Sequence, residues 1–234
     1  MDLKINSRLR PLWIYTALPA VILNIGAILI FGSYYALQAT QPDLVSSIQP
    51  AQAQFLAYVF VFIVEWIFAI LLLRQRAAEG KTLASIMAPD GQIVKFRLLS
   101  ALGLFIIFNV LFILYIPLVT ALYGRWPSLS ELALWQRMFM ILVIPLQAAF
   151  CEELIWRGHI IPELKARGRS DFAAILLSAL SFALIHGIFL IDKLLLTFIL
   201  GLVTGFYYLR ERNLFPLMLS HYIVDLWTFA LSVL

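Results

Sequence analysis

Seven long apolar runs constrain this chain more than any other feature. A helix needs about 20 mostly apolar residues to cross about 30 Å of hydrocarbon. The chain is 63% hydrophobic and only 13% charged, whereas soluble domains average about 45–50% and about 25%. The sequence therefore predicts an all-α polytopic membrane bundle of about seven transmembrane helices. The predicted spans are Leu12–Leu37, Phe55–Leu73, Leu98–Leu122, Met138–Trp156, Phe172–Ile191, Leu194–Leu209 and Leu214–Leu234.

The basic residues between these runs predict the orientation in the membrane. Of the 17 lysines and arginines, 14 fall before span one or in the loops after spans two, four and six. The other three lie in the alternate loops: Arg125, Arg137 and Lys193. Cytoplasmic loops carry the excess of Lys and Arg, so the N-terminus is predicted to be cytoplasmic. The net charge of +4 therefore reflects topology and is not read as affinity for nucleic acid.

The chain divides into two predicted regions. Residues 1–137 form an N-terminal three-span region with a cytoplasmic loop at 75–97, and residues 138–234 form a core of four spans. Within the loop, Pro89 to Gly91 indicate a turn, and either a short hairpin or an interfacial helix is expected there. Gly201 and Gly205, four residues apart, predict close packing of the sixth span against another helix.

Two adjacent carboxylates end the fourth apolar run, in the stretch "CEELIWRGHI". Ionisable residues inside spans are costly and mark candidate functional sites. Glu153 and Arg157 are four apart and share a helix face, which predicts a salt bridge between them. Glu152 lies about 100° further round the helix and must face something else. A carboxylate in a partly dehydrated cavity is suited to act as a general base near neutral pH.

Two later spans carry histidines that either bridge helices or take part in chemistry. His186 follows Phe182 by one turn on the same helix face, in "SFALIH". His221 and Asp225 are four apart, so they form either a structural hydrogen bond or a functional Asp–His pair. Counted from the predicted span ends at 1.5 Å per residue, Glu152 would lie about 8 Å deep and His186 about 22 Å deep. The fifth helix is therefore expected to begin in the cytoplasm or to tilt strongly.

Three further residues are given structural interpretations. Cys151 is read as a small buried hydrophobe, since it faces away from Glu152. His159 is expected to be a solvated interfacial histidine, because Gly158 is predicted to end the helix before it. Glu65, in "VFIVEWIF", either pairs with Asn109 or Gln147 or lines the path of a substrate.

The three polar motifs together resemble a known family. "EELIWR" fits the pattern EExxxR, "FALIH" fits FxxxH and "HYIVD" fits HxxxN/D. In this order and on successive spans, they resemble the CPBP family of type II CAAX prenyl endopeptidases and bacteriocin-processing or immunity proteins. The resemblance runs from about Met138 to the C-terminus.

The resemblance implies an intramembrane endopeptidase of the glutamate type. Carried over by motif, Glu152 would be the general base that activates water, with His186 assisting it. His221 and Asp225 would stabilise the oxyanion, and the three residues Glu153, Arg157 and Phe182 would support the site. Prenyl proteases carry Asn where this chain has Asp225. Asp225 is therefore expected to be protonated, to orient His221, or to leave the oxyanion to another group.

These motifs predict no cofactor. Two histidines and nearby carboxylates could bind zinc, but there is no HExxH and the histidines lie on different helices. The expected partners are the lipid bilayer and a membrane-bound peptide or protein substrate, in the bacterial cytoplasmic membrane. The alternatives are a non-proteolytic immunity or scaffold protein that binds a peptide in the same cavity, or a proton-coupled transporter. The sequence shows no inverted repeat, which argues against the transporter.

Overall fold

A computed structural model describes residues 12–88, 97–123 and 128–233. Helices joined by short connections make up these ranges, and no strand occurs in them. The all-α fold class is confirmed. The helices are α1 (Trp13–Thr16), α2 (Leu18–Thr40), α3 (Pro42–Val45), α4 (Pro50–Ala78), α5 (Leu83–Met87), α6 (Arg97–Tyr123), α7 (Leu134–Ala166), α8 (Asp171–Ile185), α9 (Ile191–Glu211) and α10 (Phe215–Val233).

Five helical segments in the described residues are long and apolar enough to cross a membrane, which confirms a multi-pass membrane protein. Two of the seven predicted spans do not meet this criterion. The fifth, α8, has 15 residues, because the helix ends at Ile185 instead of Ile191. The seventh, α10, is a helix but is not among the five. The five are Trp13–Thr40, Pro50–Ala78, Leu98–Leu122, Leu134–Ala166 and Ile191–Glu211.

Helix α7 is longer than the sequence predicted. It runs through Gly158 to Ala166, with π-helical turns at Phe139–Val143 and Glu153–Ile160. The expectation that Gly158 ends this helix is wrong. A Cβ atom at this position would lie 2.8 Å from Cδ1 of Leu214. The glycine therefore lets another part of the chain approach the helix closely, and the helix continues because its surroundings are packed.

Small residues allow α8 and α9 to pack closely. A Cβ atom on Gly201 would lie 2.9 Å from Cα of Ala179, and one on Gly205 would lie 2.9 Å from Cγ2 of Ile175. This confirms the close packing predicted from the two glycines. On the other side of the bundle, α2 packs against α4 and α8, and α4 packs against α7. Helices α2 and α4 of the N-terminal region thus pack directly against α7 and α8.

The loop at 75–97 contains a short helix. Helix α5 begins after Thr82, whose side-chain oxygen accepts a hydrogen bond from the backbone N–H of Ser85 at 3.2 Å. Its end is tied to the core, because the N–H of Leu214 donates to the Met87 carbonyl at 2.9 Å. The predicted turn at residues 89–91 lies outside the described residues.

Candidate active site

Glu152 lies between two histidines from different helices. Its side chain is buried in the middle of α7, directly before the second π-helical turn. Oε1 lies 3.9 Å from Nε2 of His186, and Oε2 lies 3.7 Å from Nε2 of His221. Both distances are too long for a direct hydrogen bond. The structure thus brings both histidines to the Glu152 carboxylate, and each of its two oxygens faces one imidazole.

His221 also contacts two further carboxylates. Nδ1 lies 3.0 Å from Oε1 of Glu153, and Nε2 lies 3.3 Å from Oδ2 of Asp225 one turn along α10. A carboxylate of an ion pair only accepts hydrogen bonds, so Nδ1 of His221 donates to Glu153. The predicted pairing of His221 with Asp225 is confirmed. The contact with Glu153 was not predicted, because no spacing rule connects residues on two helices that are distant in sequence.

The pair of Glu153 and Arg157 is confirmed and is buried. Oε2 of Glu153 lies 3.4 Å from Nε of Arg157, and both side chains are 1% exposed. The guanidinium also donates to the hydroxyl of Thr204 and lies 4.3 Å from the centre of the Phe182 ring. Burial of an arginine requires partners of this kind for its donors. The assignment of Arg157 to a cytoplasmic loop is wrong, since it lies within the bundle.

Thr204 is a site residue that the sequence reasoning missed. It lies on α9 between Gly201 and Gly205, the pair that brings this helix close to α8. A polar residue between two packing glycines faces the same helix interface. The position of Thr204 between these two glycines could therefore have identified it from the sequence.

His186 is fixed by its own helix. It is the C-terminal cap of α8, and its Nδ1 lies 2.9 Å from the carbonyl oxygen of Phe182. A carbonyl only accepts, so Nδ1 carries a hydrogen, and in the neutral ring the lone pair is on Nε2. The ring packs edge-on against Phe182, with 4.7 Å between the centroids. The unprotonated nitrogen of the neutral ring therefore faces Glu152.

The depth mismatch predicted for Glu152 and His186 disappears in the structure. Helix α7 continues to Ala166, so Glu152 lies about 21 Å from its end, and His186 lies about 22 Å from Asp171 at the start of α8. The two helices run antiparallel, because contacts join Lys165 to Asp171, Trp156 to Ser178 and Glu152 to His186. The mismatch arose from ending the helix at Arg157.

Cys151 and His159 lie in different surroundings. Cys151 is a buried free cysteine, as expected for a small hydrophobe. The expectation of a solvated His159 is wrong. Its Nδ1 lies 2.5 Å from a guanidinium nitrogen of Arg76, and its ring packs edge-on against Tyr15 at 4.6 Å. Because α7 continues past Gly158, this histidine is carried into the protein instead of onto its surface.

Glu65 is paired with Gln147. The amide of Gln147 donates to the Glu65 carboxylate, which links α4 to α7 one to two turns before Glu152. Asn109, the other predicted partner, donates to the Phe105 carbonyl of its own helix at 2.7 Å. Of the two partners that the sequence left open, the structure selects Gln147. Both side chains of this pair are buried.

Metal-ligating side chains are not grouped into a metal site in the part of the chain that the structure describes. Among the described residues, no group of three or more His, Cys, Asp or Glu side chains is arranged so that it could hold a metal ion. A mechanism without a metal stays a prediction.

Part of the chain matches a known protein family. Residues 134–227 match the family model of the Rce1-like type II CAAX prenyl endopeptidases. The matched segment starts with α7 and includes Glu152, His186, His221 and Asp225. No curated protein and no solved structure matches the chain. The match covers 94 of the 234 residues, and over this segment the chain is similar to the Rce1-like members of the CPBP family of intramembrane proteases.

Proposed function

We propose that this protein is an intramembrane endopeptidase that hydrolyses a membrane-associated peptide or protein with water activated by Glu152 and His186. The observation that carries the proposal is the position of the Glu152 carboxylate, 3.9 Å from His186 and 3.7 Å from His221. Peptide hydrolysis requires an activated water and a group that stabilises negative charge on the carbonyl oxygen. The arrangement offers candidates for both.

Glu152 is the general base of the proposed reaction. A polar separation of 3.9 Å, too long for a direct hydrogen bond, is suited to a bridging water molecule. Water between Oε1 of Glu152 and Nε2 of His186 would donate one hydrogen to each, since the hydrogen of the neutral imidazole is on Nδ1. Glu152 takes the water proton as the oxygen attacks the carbonyl carbon, and it delivers that proton to the leaving amine.

His221 is the proposed oxyanion donor. Its Nδ1 donates to Glu153 at 3.0 Å, so the ring must be protonated on both nitrogens to donate from Nε2 as well. Glu153 and Asp225 would stabilise that imidazolium. Of the roles left open for Asp225, its contact with Nε2 at 3.3 Å supports orientation of His221. Glu153 and Arg157, with the Phe182 ring, hold the site together.

The exposure of the side chains supports access from the Asp225 side. Asp225 is 30% exposed and His221 is 16% exposed, whereas Glu152 is 6% exposed. The substrate peptide would approach past Asp225 and reach the base last. Such a protein would act in the bacterial cytoplasmic membrane on a bilayer-bound substrate, with no cofactor.

The test is a comparison of peptide termini in membranes from cells that carry the wild type or Glu152→Gln at equal levels. The amide keeps the size of the side chain but removes the base. A new terminus that is present with the wild type and absent with the variant would support proteolysis and identify the substrate. Glu211→Gln, at an exposed position, is the control and should cleave as the wild type does.

One outcome would favour the scaffold alternative instead. If the wild type and Glu152→Gln give the same termini, and the variant keeps the cellular phenotype of the wild type, the protein is not a protease that uses this carboxylate. A peptide-binding immunity or scaffold protein would then be the better interpretation of the same cavity.

A further inference from the structure

Asn24 contacts the turn that carries His186. It lies on α2, outside the residues that match the family model, and its side chain is buried. Its Nδ2 donates to the carbonyl of Leu184 at 2.8 Å, and its Oδ1 accepts from the N–H of Ile188 at 3.0 Å. The same Nδ2 donates to the Ala20 carbonyl of its own helix at 2.8 Å. One side chain thus bonds the backbone two residues before His186 and two residues after it.

The turn at the end of α8 carries backbone groups that have no partner within the helix. The last four carbonyls of a helix have no partner within it, and Leu184 is one of these. Ile188 lies beyond the end of α8, so its N–H has no helical acceptor either. Gly187 between them has φ +109°, a conformation that side chains other than glycine rarely adopt. An amide side chain satisfies one donor and one acceptor at once.

We propose that Asn24 is a positioning residue, which holds the His186 turn so that Nε2 of His186 faces Glu152. This inference rests on the proposed function of His186. The ring orientation is set by the Phe182 carbonyl, but the position of the backbone is set by the two bonds from Asn24. A second contact holds the same helix, since Ser181 donates to the Thr16 carbonyl at 2.6 Å. Ser181 lies five residues before His186, more than one helical turn away. Its contact therefore does not hold the loop at residues 186–188, which Asn24 bonds.

The role would belong to the N-terminal helices, which lie outside the family match. The N-terminal helices would then contribute to catalysis, because Asn24 on α2 holds the turn that carries His186. A structural role alone would affect only the amount of folded protein. A positioning role must also alter the turn and the reaction.

The first measurement is hydrogen exchange at single-residue resolution on the full chain in detergent micelles. In the wild type, the amide of Ile188 should exchange slowly, although it lies outside a helix. In Asn24→Leu, this amide should exchange about tenfold faster, the effect of one lost hydrogen bond. Asn109→Leu is the matched control, because within the described ranges the Asn109 amide bonds only its own helix, so this substitution should leave the exchange of Ile188 unchanged.

Asn24→Ala provides the same test if Asn24→Leu does not accumulate. Fast exchange of Ile188 in the wild type would overturn the inference without any variant. Equal exchange in the Asn24 and Asn109 variants would also overturn it.

The second measurement is hydrolysis of the peptide identified by the terminus comparison. Asn24→Leu should lower kcat by about 10- to 100-fold, the effect of a misplaced group, with KM unchanged. Faster exchange with an unchanged kcat would overturn the positioning role. Faster exchange in a protein whose wild type and Glu152→Gln give the same termini would instead refute the proposed function, and Asn24 would remain the residue that holds this turn.

Discussion

The Glu153 carboxylate joins His221 on α10 to Arg157 on α7. Oε1 of Glu153 lies 3.0 Å from Nδ1 of His221, and Oε2 lies 3.4 Å from Nε of Arg157. One buried carboxylate thus orients a candidate catalytic histidine with one oxygen and balances a buried guanidinium with the other. The two adjacent glutamates of the chain therefore have different surroundings: Glu153 has close partners, and Glu152 faces the imidazoles at longer distances.

Arg157→Ala should strongly destabilise the protein. The change leaves Glu153 buried without its cationic partner, and breaking a buried pair in this way costs about 3–5 kcal/mol. Thermal unfolding in detergent should show a large fall in midpoint. Arg210→Ala, at a position 86% exposed, is the control and should change little. An Arg157→Ala protein as stable as the wild type would contradict a structural role for this pair.

Thr204→Val tests the partner that holds the guanidinium of Arg157. Valine keeps the shape of the side chain but removes the acceptor, and a buried donor without a partner costs about 1–3 kcal/mol. The free energy of unfolding should fall by this amount. Thr197→Val is the matched control on the same helix, because among the described residues the Thr197 hydroxyl donates only to carbonyls of its own helix. Equal losses in both variants would mean that the contact with Arg157 contributes nothing specific.

Gly201→Ala should force α8 and α9 apart. The added Cβ would lie 2.9 Å from Cα of Ala179, a backbone atom that a side-chain rotation cannot move away. Overpacking of this kind typically costs about 1–3 kcal/mol, which unfolding measurements resolve. Gly103→Ala is the control, since its Cβ would meet no atom within 4 Å. That change should be neutral or stabilise α6 by about 0.5–1 kcal/mol. Similar results at both positions would argue against close packing at Gly201.

The stability of the loop end of α4 should decrease in acid. Partial burial raises the pKa of the Glu79 carboxyl, but the hydrogen bond and charge of Arg76 outweigh this and hold its pKa below the usual value. A lowered folded-state pKa stabilises the fold above the unfolded pKa, and that stabilisation is lost as pH falls through the folded pKa. The unfolding midpoint should therefore drop less steeply between pH 6 and about 3 in Glu79→Gln than in the wild type.

The comparison for this pH dependence is Glu211→Gln, an exposed carboxylate at the end of α9. Its pH profile should follow that of the wild type. If Glu79→Gln shows the same acid dependence as the wild type, the contact of Glu79 with Arg76 at 2.8 Å does not contribute to stability in solution.

Sequence reasoning located the helices and the chemical groups of the site, but not how the helices end. The runs of apolar residues establish an all-α membrane bundle, because a span has a minimum length. The spacing of four residues identified the pairs Glu153–Arg157 and His221–Asp225, because such residues are neighbours on one helix. The predicted end of helix α7 at Gly158 was wrong. A glycine can either end a helix or allow a neighbouring segment to approach it closely. The sequence around the glycine does not distinguish these two roles, because the second depends on residues from elsewhere in the chain.

The sequence by itself therefore determined the fold class, the local pairs and the resemblance to a family, all of which depend on contacts within one helix or on the order of motifs. The tertiary structure alone decided which residues from different helices meet. It brought Glu153 to His221, Arg157 to Thr204, and the turn of His186 to Asn24. These contacts depend on how the helices pack and how close small residues allow them to come, and no periodicity along a single chain encodes that distance.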